Sequence, residues 1–141
     1  MVELSYDWLI EEPSFLPQKN GECFYSPVFY ATGEDSVRWQ LKIYPKGAGE
    51  ESNGFLSLHL ERVFRDKISN EPPVAVKLSF TAFKNGWKIF SNSEEMQLFG
   101  REPVACSFGW DKVEQVSVLE AIKRPTGVDE LKISCHLIYA A

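Results

Sequence analysis

Apolar and polar residues alternate along four stretches of this chain, and this alternation restricts the fold more than any other feature. The stretches are residues 37–43, 56–60, 74–82 and 131–139. Successive side chains on a β-strand point to opposite faces, so each stretch predicts a strand with one face buried. Shorter strands are expected near residues 4–10, 22–30, 87–90 and 95–99.

Turn signals separate the predicted strands, among them Pro45-Lys46-Gly47, Asn53-Gly54 and Asn85-Gly86. Helical periodicity is weak, and residues 112–123 are the best candidate for about one turn of helix. Closely spaced strands predict an all-β fold, an antiparallel β-sandwich of seven to eight strands. We expect one domain over residues 1–141, with a core from about residue 4 to residue 139.

Charge and composition argue against several classes of partner. A net charge of −5 disfavours nucleic acid and anionic membranes, because both select basic surfaces. No apolar run approaches the ~20 residues of a membrane helix, and the opening MVELSYDWLI lacks the pattern of a secretory signal. The three cysteines are scattered without a CxxC pair, which is typical of reduced thiols. We therefore expect a protein of the cytoplasm or nucleus, with the isolated domain monomeric.

Residues that support catalysis or metal binding are scarce. His59 and His136 are the only histidines, and neither has a second ligand at metal-binding spacing. Cys135 and His136 are neighbours, so on a strand they point to opposite faces and cannot act as a nucleophile–base pair. The sequence therefore predicts neither an enzyme nor a bound cofactor or metal.

The glycine-rich segment after residue 45 raises the question of a phosphate-binding loop. Such a loop needs its lysine after the glycines, between a strand and a helix. Here Lys46 precedes Gly47, and the residues that follow alternate with period two. Pro45 cannot donate to a strand ladder, so we expect the third strand to end there and the segment to connect two strands.

Two aromatic residues flank a glycine in the segment Ser107-Phe108-Gly109-Trp110-Asp111-Lys112. On an extended chain Phe108 and Trp110 point to the same side. They either pack into the core or line a groove for a peptide, because exposed aromatics are frequent at such grooves. The pattern alone leaves both alternatives open.

The chain resembles the MATH domain, also called the meprin-and-TRAF homology or TRAF-like domain. Within that family it is most similar to the MATH–BTB branch, which is also the speckle-type POZ branch. The residues that carry the resemblance are Tyr6 to Ile10, Ser26 to Phe29, Trp39 to Gly47, Phe55 to Leu60, Phe108 to Trp110 and Asp129 to Cys135.

The resemblance implies a sandwich that binds short extended peptides in a groove on one sheet. The family's groove positions, transferred one by one, fall at Lys42 on the third predicted strand, His59 on the fourth, Leu78 on the fifth and Phe99 before the main loop. The family's Lys-Asp-Trp-Gly-Phe-Lys motif reads Cys106-Ser107-Phe108-Gly109-Trp110-Asp111 here, which adds Ser107, Phe108, Gly109, Trp110 and Asp111 to the predicted groove. The order of the aromatic pair is exchanged, and both lysines are replaced.

The resemblance also implies a function as the substrate-recognition domain of an adaptor for a cullin-based ubiquitin ligase. In that branch the ligase components bind through a BTB domain, which is absent from these 141 residues. A TRAF-type signalling adaptor, a deubiquitinase module and a stand-alone interaction domain are the alternatives, while a sandwich-fold hydrolase lacks a nucleophile–base pair. Because Cys106 and Asp111 replace cations, we expect a groove that favours neutral or basic peptide flanks over acidic ones.

Overall fold

The chain forms two antiparallel β-sheets in the computed structural model, which describes residues 1–13, 16–66, 71–122, 127 and 129–140. In these ranges the strands are β1 (Val2–Glu11), β2 (Phe24–Tyr25), β3 (Phe29–Ala31), β4 (Glu34–Tyr44), β5 (Phe55–Val63), β6 (Val74–Lys84), β7 (Trp87–Phe99), β8 (Ser107–Gln115) and β9 (Glu130–Tyr139). A 3₁₀ turn covers Glu50–Ser52 and helix α1 covers Val116–Ala121. No helix in the described ranges is long and apolar enough to cross a membrane.

The two sheets confirm the predicted antiparallel sandwich. One sheet has four strands in the order β1-β9-β6-β7. The other has five, in the order β2-β4-β5-β8, and β3 also pairs with β4. Strands β2 and β3 are short, because the chain between residues 22 and 31 pairs with β4 in two separate pieces.

The core lies between the inward faces of the two sheets. All four alternating stretches bury their apolar face as predicted, and Trp39, Leu58, Phe80 and Leu137 are fully buried examples. Trp39 occupies the centre, with edge-on contacts to Phe99 at 5.1 Å and Tyr139 at 5.5 Å between ring centroids. Fully burying one such apolar side chain contributes about 1.5–3 kcal/mol, so these four strands supply much of the stability.

The connection after β4 lies at the predicted turn residues. Strand β4 ends at Tyr44, directly before Pro45, as predicted. Gly47 then takes a positive φ of 97°, and a Cβ there would lie 2.2 Å from the Ser52 carbonyl oxygen, so only glycine fits this connection. The side-chain amide of Asn20 donates to the carbonyls of Lys46 (3.0 Å) and Gly49 (2.9 Å) and so holds the connection in place.

One predicted boundary was wrong. The strands expected at residues 87–90 and 95–99 are one strand, β7, because residues 91–94 also pair with β6. The turn of helix expected within residues 112–123 is confirmed: α1 covers six of these residues and begins after β8, which continues to Gln115. Residue 123 lies outside the described residues.

Candidate functional site

One row of side chains crosses the outer face of the five-stranded sheet. The register places Tyr25, Lys42, His59 and Gly109 opposite one another on β2, β4, β5 and β8. Three of the predicted groove residues, Lys42, His59 and Gly109, therefore lie side by side. Ser107 faces Glu61 in the next row of the same face.

Lys42 is only 8% exposed although it lies on an outer face. Its ammonium lies 3.5 Å from the Glu61 carboxylate and 5.8 Å from the centre of the Tyr44 ring. Burial by itself lowers the pKa of Lys42, but Glu61 and Tyr44 outweigh this effect, so its pKa lies above the usual range. Lys42 is thus a charged residue whose charge is already balanced within the sheet.

Gly109 allows β5 and β8 to approach closely beneath the His59 ring. A Cβ on Gly109 would lie 2.1 Å from the Leu58 carbonyl oxygen and 2.6 Å from His59 Cδ2. The His59 Nε2 in turn lies 2.8 Å from the Asp111 carboxylate. The glycine therefore fixes the position of the imidazole over β8, and Asp111 anchors it at the edge of the sheet.

Phe108 and Trp110 point to the same side, as predicted, but that side is the inward face of β8. They lie opposite the buried Leu60 and Leu58 of β5. The Trp110 ring contacts Phe108 at 5.5 Å. Both aromatics remain half-buried, so they pack against the core and still leave part of each ring open at the edge.

Two further rings surround Trp110 and were absent from the predicted site. Phe80 of β6 and Phe90 of β7 contact Trp110 at centroid distances of 5.3 Å and 5.7 Å. They belong to the four-stranded sheet, so these contacts join the two sheets at their open side. The alternation of β6 already predicted that Phe80 faces inward, but only the packing of the two sheets shows that it meets Trp110.

The structure does not bring Leu78 and Phe99 to the surface. Both side chains are 0% exposed, and both belong to the four-stranded sheet. Leu78 lies between Leu137 and Glu94 in the register, and Phe99 packs edge-on against Trp39. A peptide on the outer face cannot touch either side chain, so their placement in an exposed groove is corrected: they support the core beneath it.

The open side of the sandwich lies between two edge strands. Among the described residues β8 pairs on one side only, with β5, and β7 pairs only with β6. The contact between Phe90 and Trp110 closes one end of this opening. At the other end the chain turns from β7 into β8, where the Gly100 N–H donates to the Ala105 carbonyl at 3.0 Å.

Arg62 holds the start of β8 and the end of β7 in position. It is 4% exposed, and its Nη1 donates to the carbonyls of Pro72 (2.8 Å) and Phe99 (3.0 Å). Its backbone N–H donates to the Cys106 carbonyl at 2.8 Å. Burial lowers the pKa of Arg62, but an arginine stays charged at any physiological pH, so these hydrogen bonds persist.

A second opening lies on the opposite side of the sandwich. It is a cleft of about 560 Å³ between the start of β1 and the turn from β3 to β4. Val2, Leu4, Phe29 and Glu34 are among the residues that line it. None of the predicted groove residues lies there, so the cleft and the β8 edge are separate surfaces.

The site combines a polar outer face with half-buried aromatic rings on one edge strand, a surface of the kind that protein-interaction domains use. The chain belongs to the MATH domain family, because the model of the MATH domain matches residues 5–137. This fold is a protein-interaction fold. Among curated proteins the chain is similar to "TD and POZ domain-containing protein 3" of Mus musculus, with 34% identity over 92 residues. That match covers 65% of this chain and only 22% of the mouse protein.

Proposed function

We propose that this chain binds short extended segments of other proteins along the free edge of β8. One observation carries the proposal: β8 is the last strand of its sheet, with the rings of Phe108 and Trp110 on its inward face and Asp111, paired with His59, on its outer face. A peptide that pairs with such an edge gains main-chain hydrogen bonds, and its alternate side chains meet the two faces in turn. One set would contact Phe108 and Trp110, and the other would contact His59 and Asp111.

Within this proposal the nine predicted site residues divide into three roles. Phe108, Trp110, His59, Asp111 and Ser107 present side chains to the peptide. Gly109 and Lys42 belong to the sheet beneath the peptide. Gly109 permits the close approach of β5 and β8, and Lys42 forms an ion pair with Glu61 within the sheet. Leu78 and Phe99 act only through the core.

We further propose that the peptides are substrates of a cullin-based ubiquitin ligase, and that the chain is its non-enzymatic recognition domain in the cytoplasm or nucleus. The named relative contains a POZ domain, which supports this assignment. A shallow site of this kind binds with dissociation constants of about 1 μM or weaker, so avidity from an oligomeric partner domain would strengthen binding.

Selection of random decapeptides displayed on phage tests the peptide site. Trp110→Ala should lower the affinity of selected peptides at least about tenfold, because aromatic anchors dominate such interfaces. Trp87→Ala is the matched control, since Trp87 is 68% exposed at the start of β7. Equal affinities for both variants would place the peptide elsewhere on the chain.

The ligase assignment needs a separate experiment in cells. Affinity purification of the protein from cells, followed by quantification of co-purifying cullin, should show a cullin in excess over a control purification. If no cullin co-purifies while the chain still binds peptides, the ligase assignment fails and peptide recognition stands.

A further inference from the structure

Glu94 is a carboxylate on the inward side of the β7 edge strand. It lies opposite the fully buried Leu78, so it shares the face of the strand that points into the sandwich. Its side chain is half-buried, and no ion pair or hydrogen bond to it occurs among the described residues. Its neighbour Glu95 is different: it is 83% exposed and lies 3.7 Å from Lys77.

The position of Glu94 follows from the topology. Starting from the contact between Phe90 and Trp110, the end of β7 and the start of β8 both lead to the turn that joins the two strands. Residues that face inward along this path line the same opening, which places Glu94 on the β7 side and Phe108 on the β8 side. An unpaired carboxylate thus lies along the same opening as the half-exposed aromatic wall.

Three cations of the chain are engaged elsewhere. The Lys42 ammonium is balanced by Glu61, and Arg101 stacks on Phe64 at 4.2 Å. Lys112 lies over the Phe55 ring at 5.4 Å, beyond the aromatic pair. On the outer face the Asp111 side chain is 62% exposed. A ligand along β8 can therefore approach a carboxylate on either side: Asp111 on the outer face of β8, and Glu94 across the opening on β7.

We infer that the peptide bound along β8 carries a lysine or arginine within one or two residues of its apolar or aromatic anchor. This inference rests on the proposed peptide site and names the chemistry that the site selects. The anchor packs against Phe108 and Trp110, and the basic side chain pairs with Glu94 in the opening. Charge complementarity of this kind excludes acidic and phosphorylated flanks, because like charges across an interface are repelled.

The two adjacent glutamates provide a matched pair of variants. The wild-type chain, Glu94→Lys and Glu95→Lys are each used to select random decapeptides displayed on phage, and the selected peptides are measured by fluorescence anisotropy. Wild-type selections should be enriched in lysine or arginine beside an aromatic residue. Glu94→Lys should weaken those peptides about tenfold, whereas Glu95→Lys, with the same change of charge, should weaken them less than about twofold.

The outcomes separate this inference from the proposed function. Selection of peptides that depend on Trp110 but carry no basic enrichment would overturn the charge preference and leave the peptide site in place. Equal losses in both glutamate variants would show a non-specific charge effect and would also overturn the inference. Failure to select any peptide, with all variants folded by circular dichroism, would overturn the proposed function and the inference together.

Discussion

Replacing Gly109 by alanine tests the close contact between β5 and β8 on which the site is built. The added Cβ would lie 2.1 Å from the Leu58 carbonyl oxygen and 2.5 Å from the His59 Cα. Both atoms belong to the backbone, so the strands must separate by more than about 1 Å to restore ordinary contact distances of roughly 3.4–4 Å. Overpacking of this kind costs about 1–3 kcal/mol, and we expect the upper end because no rotamer change relieves a backbone clash.

The assay is equilibrium unfolding in urea, followed by tryptophan fluorescence. With a urea dependence of about 1–3 kcal/mol per M, a loss of about 3 kcal/mol lowers the urea concentration at the unfolding midpoint by roughly 1–3 M. Gly49→Ala is the matched control, because Gly49 has an extended φ of −167° and a Cβ there meets nothing within 4 Å. If Gly109→Ala unfolds within about 0.5 kcal/mol of this control, the register of β5 and β8 described here is wrong.

Three further changes test the burial of Cys135, the hydrogen bonds of Arg62 and the position of Trp110. Burial raises the pKa of Cys135, so above about pH 8.5 the unfolded chain loses this thiol proton while the folded chain keeps it, and stability falls as pH rises. Relative to Cys135→Ala under reducing conditions, the wild-type chain should lose about 1 kcal/mol of unfolding free energy between pH 8 and pH 9.5. If the unfolding free energies of the two proteins change equally with pH, the raised pKa of Cys135 is contradicted. Arg62→Ala removes the donor to the Pro72 and Phe99 carbonyls, so the free energy of unfolding in urea should fall by about 2–4 kcal/mol. A fall below about 0.5 kcal/mol would show that these hydrogen bonds are not made. Trp110→Ala should cost about 2 kcal/mol by the same assay, less than a fully buried tryptophan, and a loss above about 4 kcal/mol would place this ring deep in the core.

The strands could be predicted because their signal is local. Each inward residue from Val74 to Ala82 follows from period two alone. The end of β4 follows from Pro45, which cannot donate to the strand ladder. The continuous β7 could not be predicted, because residues 91–94 are polar and become a strand only by pairing with β6. Tertiary pairing overrides weak local propensity at such an edge.

The site was harder to predict because alternation gives two faces without saying which one a second sheet covers. The spacing of Phe108 and Trp110 correctly predicted a shared side, but their inward orientation depends on pairing with Leu60 and Leu58. For Leu78 the alternation of β6 pointed to the core, since Leu78 follows Val76 at a spacing of two and so shares its inward face. The resemblance to the MATH family placed Leu78 in the groove instead, but the structure buries Leu78 in the core, as the alternation predicts.

Amide hydrogen exchange of the chain, with and without a selected peptide, tests directly whether the peptide binds at the β8 edge. We predict that amides of β8 not bonded to β5 gain protection when the peptide binds, because they become donors to a new strand. Protection should spread along Ser107–Gln115 at alternate residues. Protection confined to the cleft between β1 and β3, with β8 unchanged, would contradict the claim that the β8 edge is the binding site.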